Sequence, residues 1–244
     1  MLKSVLPILK HISSISINGL VELLFPKNTN TPRKHNTAER LLEYREPYSK
    51  GYSKKTYAGA TYFMEYKNAL VKRLLWQFKY FLNPIALRCY TYILYDELIA
   101  EVSDRIINIP FSTPYPLIHC PSSTYFKNEK DFDHMKELIL YFEKLQNPSS
   151  PFFLTCTHAV LPKVSNSPTS KAQHTGTRKE RFEWAEQRFI ISDKFEEYLI
   201  KQSNRKINLY CIDDVVTTGA SLNAISKMFK ERFGLNVRTF SLCH

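Results

Sequence analysis

Asp213 and Asp214 follow the apolar run Leu209-Tyr210-Cys211-Ile212 and precede Val215, Val216 and the turn Thr217-Thr218-Gly219-Ala220-Ser221. Two adjacent carboxylates followed by hydroxyls and a glycine suit a ligand that carries both a phosphate and hydroxyl groups. Where such a turn opens a helix, its amides point outward as donors, and the helix dipole favours a phosphate dianion. The carboxylates would repel that phosphate unless something polyhydroxylic lay between. A ribose fits: its hydroxyls donate to Asp213 and Asp214 while its 5-phosphate reaches the turn, and Gly219 lets the backbone approach. A plain Asx turn with a helix cap and no ligand is the other reading of these residues. The rival G-x-x-x-x-G-K-[ST] phosphate loop is absent.

The flanking periodicities say what positions these groups. Residues 207–212 read as a buried strand, and residues 221–233 carry Leu222, Ile225, Met228 and Phe229 on one helical face. The carboxylates therefore stand at the carboxyl end of a strand, where open α/β sheets hold ligands. A second unit of this kind has a strand over 116–120, the small-polar turn Pro121-Ser122-Ser123-Thr124, and a helix over 129–145 through Phe132, Met135, Leu138, Ile139 and Phe142. Further strands are predicted at 56–64, 152–154, 158–161, 188–191 and 236–242. Further helices are predicted at 66–80, 193–201 and 83–102, the last with Leu87, Tyr90, Leu94 and Leu98 on one face. This alternation predicts an α/β fold with a mostly parallel, doubly wound sheet and flanking helices. Residues 162–177 nearly lack apolar anchors and read either as an active-site lid or as a surface loop. Thr177-Arg178-Lys179-Glu180 is a capping box that restarts a helix.

A chain of 244 residues, 43% of them hydrophobic, can bury one large core, so disorder as the whole answer is excluded. Residues 61–244 are expected to form the main domain, and residues 1–60 an N-terminal helix with a basic linker or hood. The five cysteines, at 89, 120, 156, 211 and 243, contain no C-x-x-C, which suits reduced thiols in a cytoplasmic protein and shows no zinc site. The apolar stretch 85–100 is broken by Arg88, Asp96 and Glu97, so no membrane span is expected. Residues 26–80 hold 12 Lys and Arg against 4 Asp and Glu, and so carry +8 of the net +11. There Tyr44, Tyr48, Tyr52, Tyr57 and Tyr62 alternate with Arg45, Lys50, Lys54 and Lys55. That composition suits weak, sequence-independent contact with single-stranded DNA, and equally a solvated basic face.

Residues 210–221 resemble the phosphoribosyl pyrophosphate signature of type I phosphoribosyltransferases. Within that superfamily the chain is most similar to the ComF-type family, associated with DNA uptake and competence. Residues 20–27, Leu-Val-Glu-Leu-Leu-Phe-Pro-Lys, are similar to the family's opening segment, which there leads into a zinc ribbon. Here the first cysteine is Cys89, so the ribbon's ligands are missing. Phe78-Lys79-Tyr80 resembles the end of a family helix, and His119-Cys120-Pro121 falls at the family's pyrophosphate-side loop. The segment from Glu129 through Lys130 to His134 falls where the family has Glu-Arg-Gly-Phe-Asn-Gln. Gln173, Thr177 and Arg181 match the spacing of its lid.

The resemblance implies transfer of the 5-phosphoribosyl group from phosphoribosyl pyrophosphate to an acceptor that the residues do not name. Mg²⁺ would be brought by the ligand, with no direct metal ligands on the protein. Asp213, Asp214 and Arg181 would be catalytic, the carboxylates holding ribose hydroxyls and offsetting positive charge on the ring. Val216, Thr217, Thr218, Gly219, Ala220 and Ser221 would grip the 5-phosphate. Pro121, Ser122, Ser123 and Lys130 would lie on the pyrophosphate side. The resemblance also admits a non-catalytic descendant that binds phosphoribosyl pyrophosphate or serves DNA uptake through its basic, tyrosine-rich segment.

Overall fold

Tyr210, Ile212, Leu117, Phe240 and Leu242 build one hydrophobic core, while Leu209, Cys211, Ile118 and Cys120 build another. The alternation has a simple origin: successive side chains of a strand point to opposite faces of its sheet, and here both faces are covered. The structure, a computed structural model, describes residues 55–103, 115–121, 132–146, 153–163, 177–203 and 207–244. The expectations for the N-terminal helix, the basic linker up to residue 54, Ser122 to Asp131 and residues 164–176 fall outside these residues.

In chain order the elements are β1 (Thr56–Tyr57), β2 (Ala60–Met64), α1 (Ala69–Phe81), α2 (Pro84–Ser103), β3 (Tyr115–His119), α3 (His134–Leu145), β4 (Phe153–Thr155), β5 (Val160–Pro162), α4 (Arg178–Glu186), β6 (Phe189–Ile191), α5 (Asp193–Lys201), β7 (Leu209–Val215), α6 (Ala220–Phe233) and β8 (Val237–Cys243). The main sheet has the order β1-β2-β8-β7-β3-β4 and is parallel throughout except at the β1–β2 edge. β5 and β6 form a separate antiparallel ribbon. Residues of α1, α2 and α3 share one core with the sheet; residues of α4, α5, α6 and the ribbon share the other. The predicted α/β layering holds, with a mixed, mostly parallel sheet.

An aromatic row fixes the strand register on the α1–α3 face. Tyr210 on β7 stacks on Phe240 of β8 at 5.8 Å and meets Tyr115 of β3 and Phe153 of β4 edge-on at 5.9 and 5.8 Å. Phe63 of β2 continues the row against Phe240. Fully burying each such ring is worth roughly 1.5–3 kcal/mol, and a register slip by one residue would turn the whole set to the wrong face.

Two sequence expectations need correction. Residues 56–64 are not one strand: Ala58 and Gly59 take positive φ (49° and 84°) and fold the segment into a two-residue hairpin. Both of its strands belong to the sheet, on either side of Ala58-Gly59. The helix predicted from 129 starts at His134, because the Asp133 side chain accepts from the amides of Met135 and Lys136 and caps it. Phe132 therefore precedes the helix. The capping box at Thr177 is present, with Glu180 accepting from the Thr177 amide at 2.6 Å and Thr177 from the Glu180 amide at 3.3 Å.

The hairpin tip presses on the turn before α6. Gly219 has φ +76°, and a Cβ there would come within 2.7 Å of the Ala58 Cβ and 2.8 Å of its carbonyl oxygen. Gly234, at the other end of α6, also has positive φ (+68°) but open space around it. Gly219→Ala is therefore expected to cost roughly 2–4 kcal/mol of unfolding free energy, against about 1 kcal/mol for Gly234→Ala, which carries backbone strain alone. Denaturant titration of the two variants measures the difference; equal losses would show that the hairpin yields without cost.

Candidate functional site

Strand parity decides what each carboxylate meets. Asp214 is even-numbered like Tyr210 and Ile212, so it points to the α1–α3 face; Asp213 points to the other. On the Asp214 side, α1 ends at Phe81 with Lys79 in its last turn, and α3 begins at His134. Lys79 Nζ donates to Asp214 Oδ2 at 2.6 Å and His134 Nε2 donates to the same oxygen at 2.8 Å. Phe78 seats the His134 ring edge-on at 5.1 Å. The Asp214 amide donates to Asp213 Oδ1 at 2.9 Å, while the second Asp213 oxygen accepts nothing from the described residues.

The two acids therefore titrate apart. Burial would raise Asp214, but the Lys79 charge and then the His134 hydrogen bond and charge outweigh it and hold the carboxyl well below the usual range. Asp213 is pushed up to about 7, by burial first and then by the neighbouring Asp214 charge, with only partial relief from Lys79 and Arg188. One acid is locked as an anion; the other is poised between its two forms at neutral pH.

A cavity of about 370 Å³ opens at this carboxyl edge. It is lined by Asp213, Asp214, Lys79 and His134, by Pro121 at the end of β3, by Thr217, Thr218, Ala220 and Ser221 of the turn, and by Arg181, Trp184 and Arg188 from α4 and its exit. Among the described residues the amides of Thr217, Thr218 and Gly219 have no hydrogen-bond acceptor, while the Ala220 amide makes a long bond to Thr218 Oγ1 at 3.4 Å. The arrangement thus offers an open anion cradle, one available carboxylate and three cations around a small polar volume.

Most of the sequence-predicted residues converge here: Asp213, Asp214, Arg181, Pro121, Thr217, Thr218, Ala220 and Ser221 share the cavity. Two do not face it. Val216 is 2% exposed in the second core, its amide tied to the Cys243 carbonyl at 3.0 Å, and Gly219 turns its α-carbon to Ala58. The glycine thus answers a contact with the hairpin, where the sequence suggests an approach to phosphate. Asp214 is occupied by protein donors, which leaves Asp213 as the carboxylate with an oxygen to offer hydroxyls. Ser122, Ser123 and Lys130 lie outside the described residues.

Sequence reasoning missed Lys79, His134, Trp184 and Arg188 as site residues. Lys79 and His134 lie 135 and 80 positions from Asp214, and no local period links them. α4 reaches the site because Ala185 is buried in the second core and Lys227 of α6 pairs with Glu186 at 2.8 Å. No protein-family model matches the chain, and no curated protein matches it significantly. Among the described residues, no helix is long and apolar enough to cross a membrane.

The split titration makes opposite predictions for the two acids. Asp213, raised above the 3.8 of an unperturbed aspartate, contributes stability that is complete below about pH 4 and is lost as pH rises through 7. Asp214, lowered, contributes stability present above about pH 4 and lost on further acidification. Asp213→Asn keeps the Oδ1 acceptor and is expected to flatten the decline in unfolding free energy between pH 4 and 7. Asp214→Asn removes the buried carboxylate that pairs with Lys79 and His134 and is expected to cost about 3–5 kcal/mol at pH 7. Denaturant titrations across pH check both; a steeper decline in Asp213→Asn would contradict the assignment.

Proposed function

We propose that the chain is a ComF-like type I phosphoribosyltransferase: it binds Mg²⁺-phosphoribosyl pyrophosphate and transfers the 5-phosphoribosyl group to an acceptor. One observation carries this reading. A strand ending in an available carboxylate, Asp213, runs through a turn of open amides into α6, and the same cavity holds Lys79, Arg181 and Arg188. A phosphate alone would need only the turn. An available acid beside it suits a ligand whose hydroxyls separate the two, and the cations suit further anionic charge on that ligand.

The residues divide the work. The turn from Thr217 to Ser221 holds the unreactive 5-phosphate, whose binding energy positions the reacting carbon. Asp213, ionised by an approaching cation, accepts from ribose hydroxyls and offsets positive charge developing on the ring. Asp214 keeps Lys79 at the cavity wall, where it stands as fixed positive charge. Among the described residues no three His, Cys, Asp or Glu side chains converge to hold a metal. Mg²⁺ would fit as a cation carried by the ligand's phosphates, with Asp213 offering a hard oxygen. When bound, it would neutralise charge building on the departing diphosphate.

Calorimetry with phosphoribosyl pyrophosphate, with and without Mg²⁺, is expected to show saturable binding that weakens at least tenfold without the metal. Asp213→Asn is expected to weaken it by a further factor of about 10, near 1.4 kcal/mol. An acceptor screen reading pyrophosphate release then separates enzyme from sensor: binding with no turnover on any acceptor would favour the non-catalytic form. No binding by the wild-type chain would refute the proposal.

A further inference from the structure

Arg188 leaves α4 just before β6 and lines the cavity beside Asp213. Its guanidinium lies 4.7 Å from the Trp184 ring centroid and 5.3 Å from that of Phe189, so two aromatic rings hold its position. Its backbone is fixed as well: the Arg188 amide donates to the Ala185 carbonyl at 3.1 Å, and its carbonyl accepts from the Lys163 amide at 2.6 Å. Among the described residues no carboxylate lies within ion-pair distance of it, although the exposed cations Lys227 and Arg232 both have such partners. A half-buried guanidinium held by aromatics, without a paired carboxylate, carries a desolvation cost that an incoming anion relieves. Burial indeed lowers it from its ordinary value, with Cys120 and Asp213 acting against that.

Its location separates it from the 5-phosphate turn. The groups acting electrostatically on Arg188 are Cys120, just past β3, and Asp213, on the β7 face toward the second core. The open amides of the turn lie beyond β7, at the start of α6. An anion bound at Arg188 would lie by Cys120 and Asp213, whereas a phosphate on the turn would lie at the amides that open α6. We propose that Arg188, held by Trp184, is the residue that grips the diphosphate end of the ligand. This deepens the proposed function and rests on it. A planar guanidinium offers parallel donors to two phosphate oxygens, which an ammonium does not. Trp184 acts as a positioning residue through Arg188.

Calorimetric titrations of the full chain with three probes test this: Mg²⁺-phosphoribosyl pyrophosphate, Mg²⁺-pyrophosphate and ribose 5-phosphate. Arg188→Gln is expected to weaken the two diphosphate ligands roughly tenfold to a hundredfold and leave ribose 5-phosphate within about twofold, as expected for a group that does not touch the 5-phosphate. Arg188→Lys, which keeps the charge and the packing stem, is expected to recover part of the loss, and Trp184→Leu to fall between wild type and Arg188→Gln. Thermal unfolding of each variant separates lost binding from lost fold. Equal loss for all three probes, or unchanged diphosphate affinity in folded Arg188→Gln, would overturn the role of Arg188 while leaving the function standing. If the wild-type chain binds ribose 5-phosphate and neither diphosphate ligand, the diphosphate grip fails and only the phosphate cradle remains. Failure of wild type to bind any of the three would remove both.

Discussion

One carboxylate oxygen joins three elements of this molecule. Asp214 Oδ2 near the end of β7 accepts from Lys79 at the end of α1 and from His134 at the start of α3. Both donors are withdrawn from water: His134 is 1% exposed, and the Lys79 side chain 28%. Taking such charges out of water is costly, and their mutual attraction repays that cost only in good geometry. Here two donors converge at 2.6 and 2.8 Å, and Asp214 Oδ1 also accepts from the Val215 amide at 2.7 Å. The ends of two helices are thus fixed at the sheet's carboxyl edge, and with them one wall of the cavity.

The asymmetry of the acid pair follows from that pin. A strand presents successive residues to opposite faces, so the hydrogen bonds that Lys79 and His134 make go to Asp214 and not to Asp213. Asp214 takes the cations of the α1–α3 face. Asp213 is buried and keeps the neighbouring negative charge, which Lys79 and Arg188 offset only in part, and its carboxyl rises. Chemistry gains from this separation, because a poised acid responds to a ligand whereas a saturated one does not. The hairpin adds a second constraint: the Ala58 backbone and Cβ fill the space where a Gly219 side chain would stand, which sets the path of the turn into α6.

The sequence made the strand-turn-helix unit legible because its signals are local. Leu209 to Ile212 are apolar and buried, Leu222, Ile225 and Phe229 recur at helical spacing, and the predicted helix over 193–201 is realised in full. Boundaries moved where a cap or a turn competed with period. Asp133 captured the start of α3, and Ala58-Gly59 broke a long β-rich run whose composition gave no reason to fold back. What could not be read is the set of long-range donors. Lys79 looks like an ordinary last-turn lysine, His134 like a helix residue after an acid, and Arg188 like the first residue of a strand. Only the topology, which inserts β7 between β3 and β8, brings them to one place.

Asp213 is the available acid of the pair and Asp214 the pinned one. Carboxyl ¹³C NMR titration of the aspartates, with the two resonances assigned by Asp213→Asn and Asp214→Asn, tests it directly. The expected result is an Asp213 midpoint at about 7 in the free protein, abolished when Mg²⁺-phosphoribosyl pyrophosphate is added, and an Asp214 resonance that stays ionised down to the acid limit of the fold. Two ordinary midpoints near 4, or a ligand that shifts Asp214 and leaves Asp213 unmoved, would contradict it.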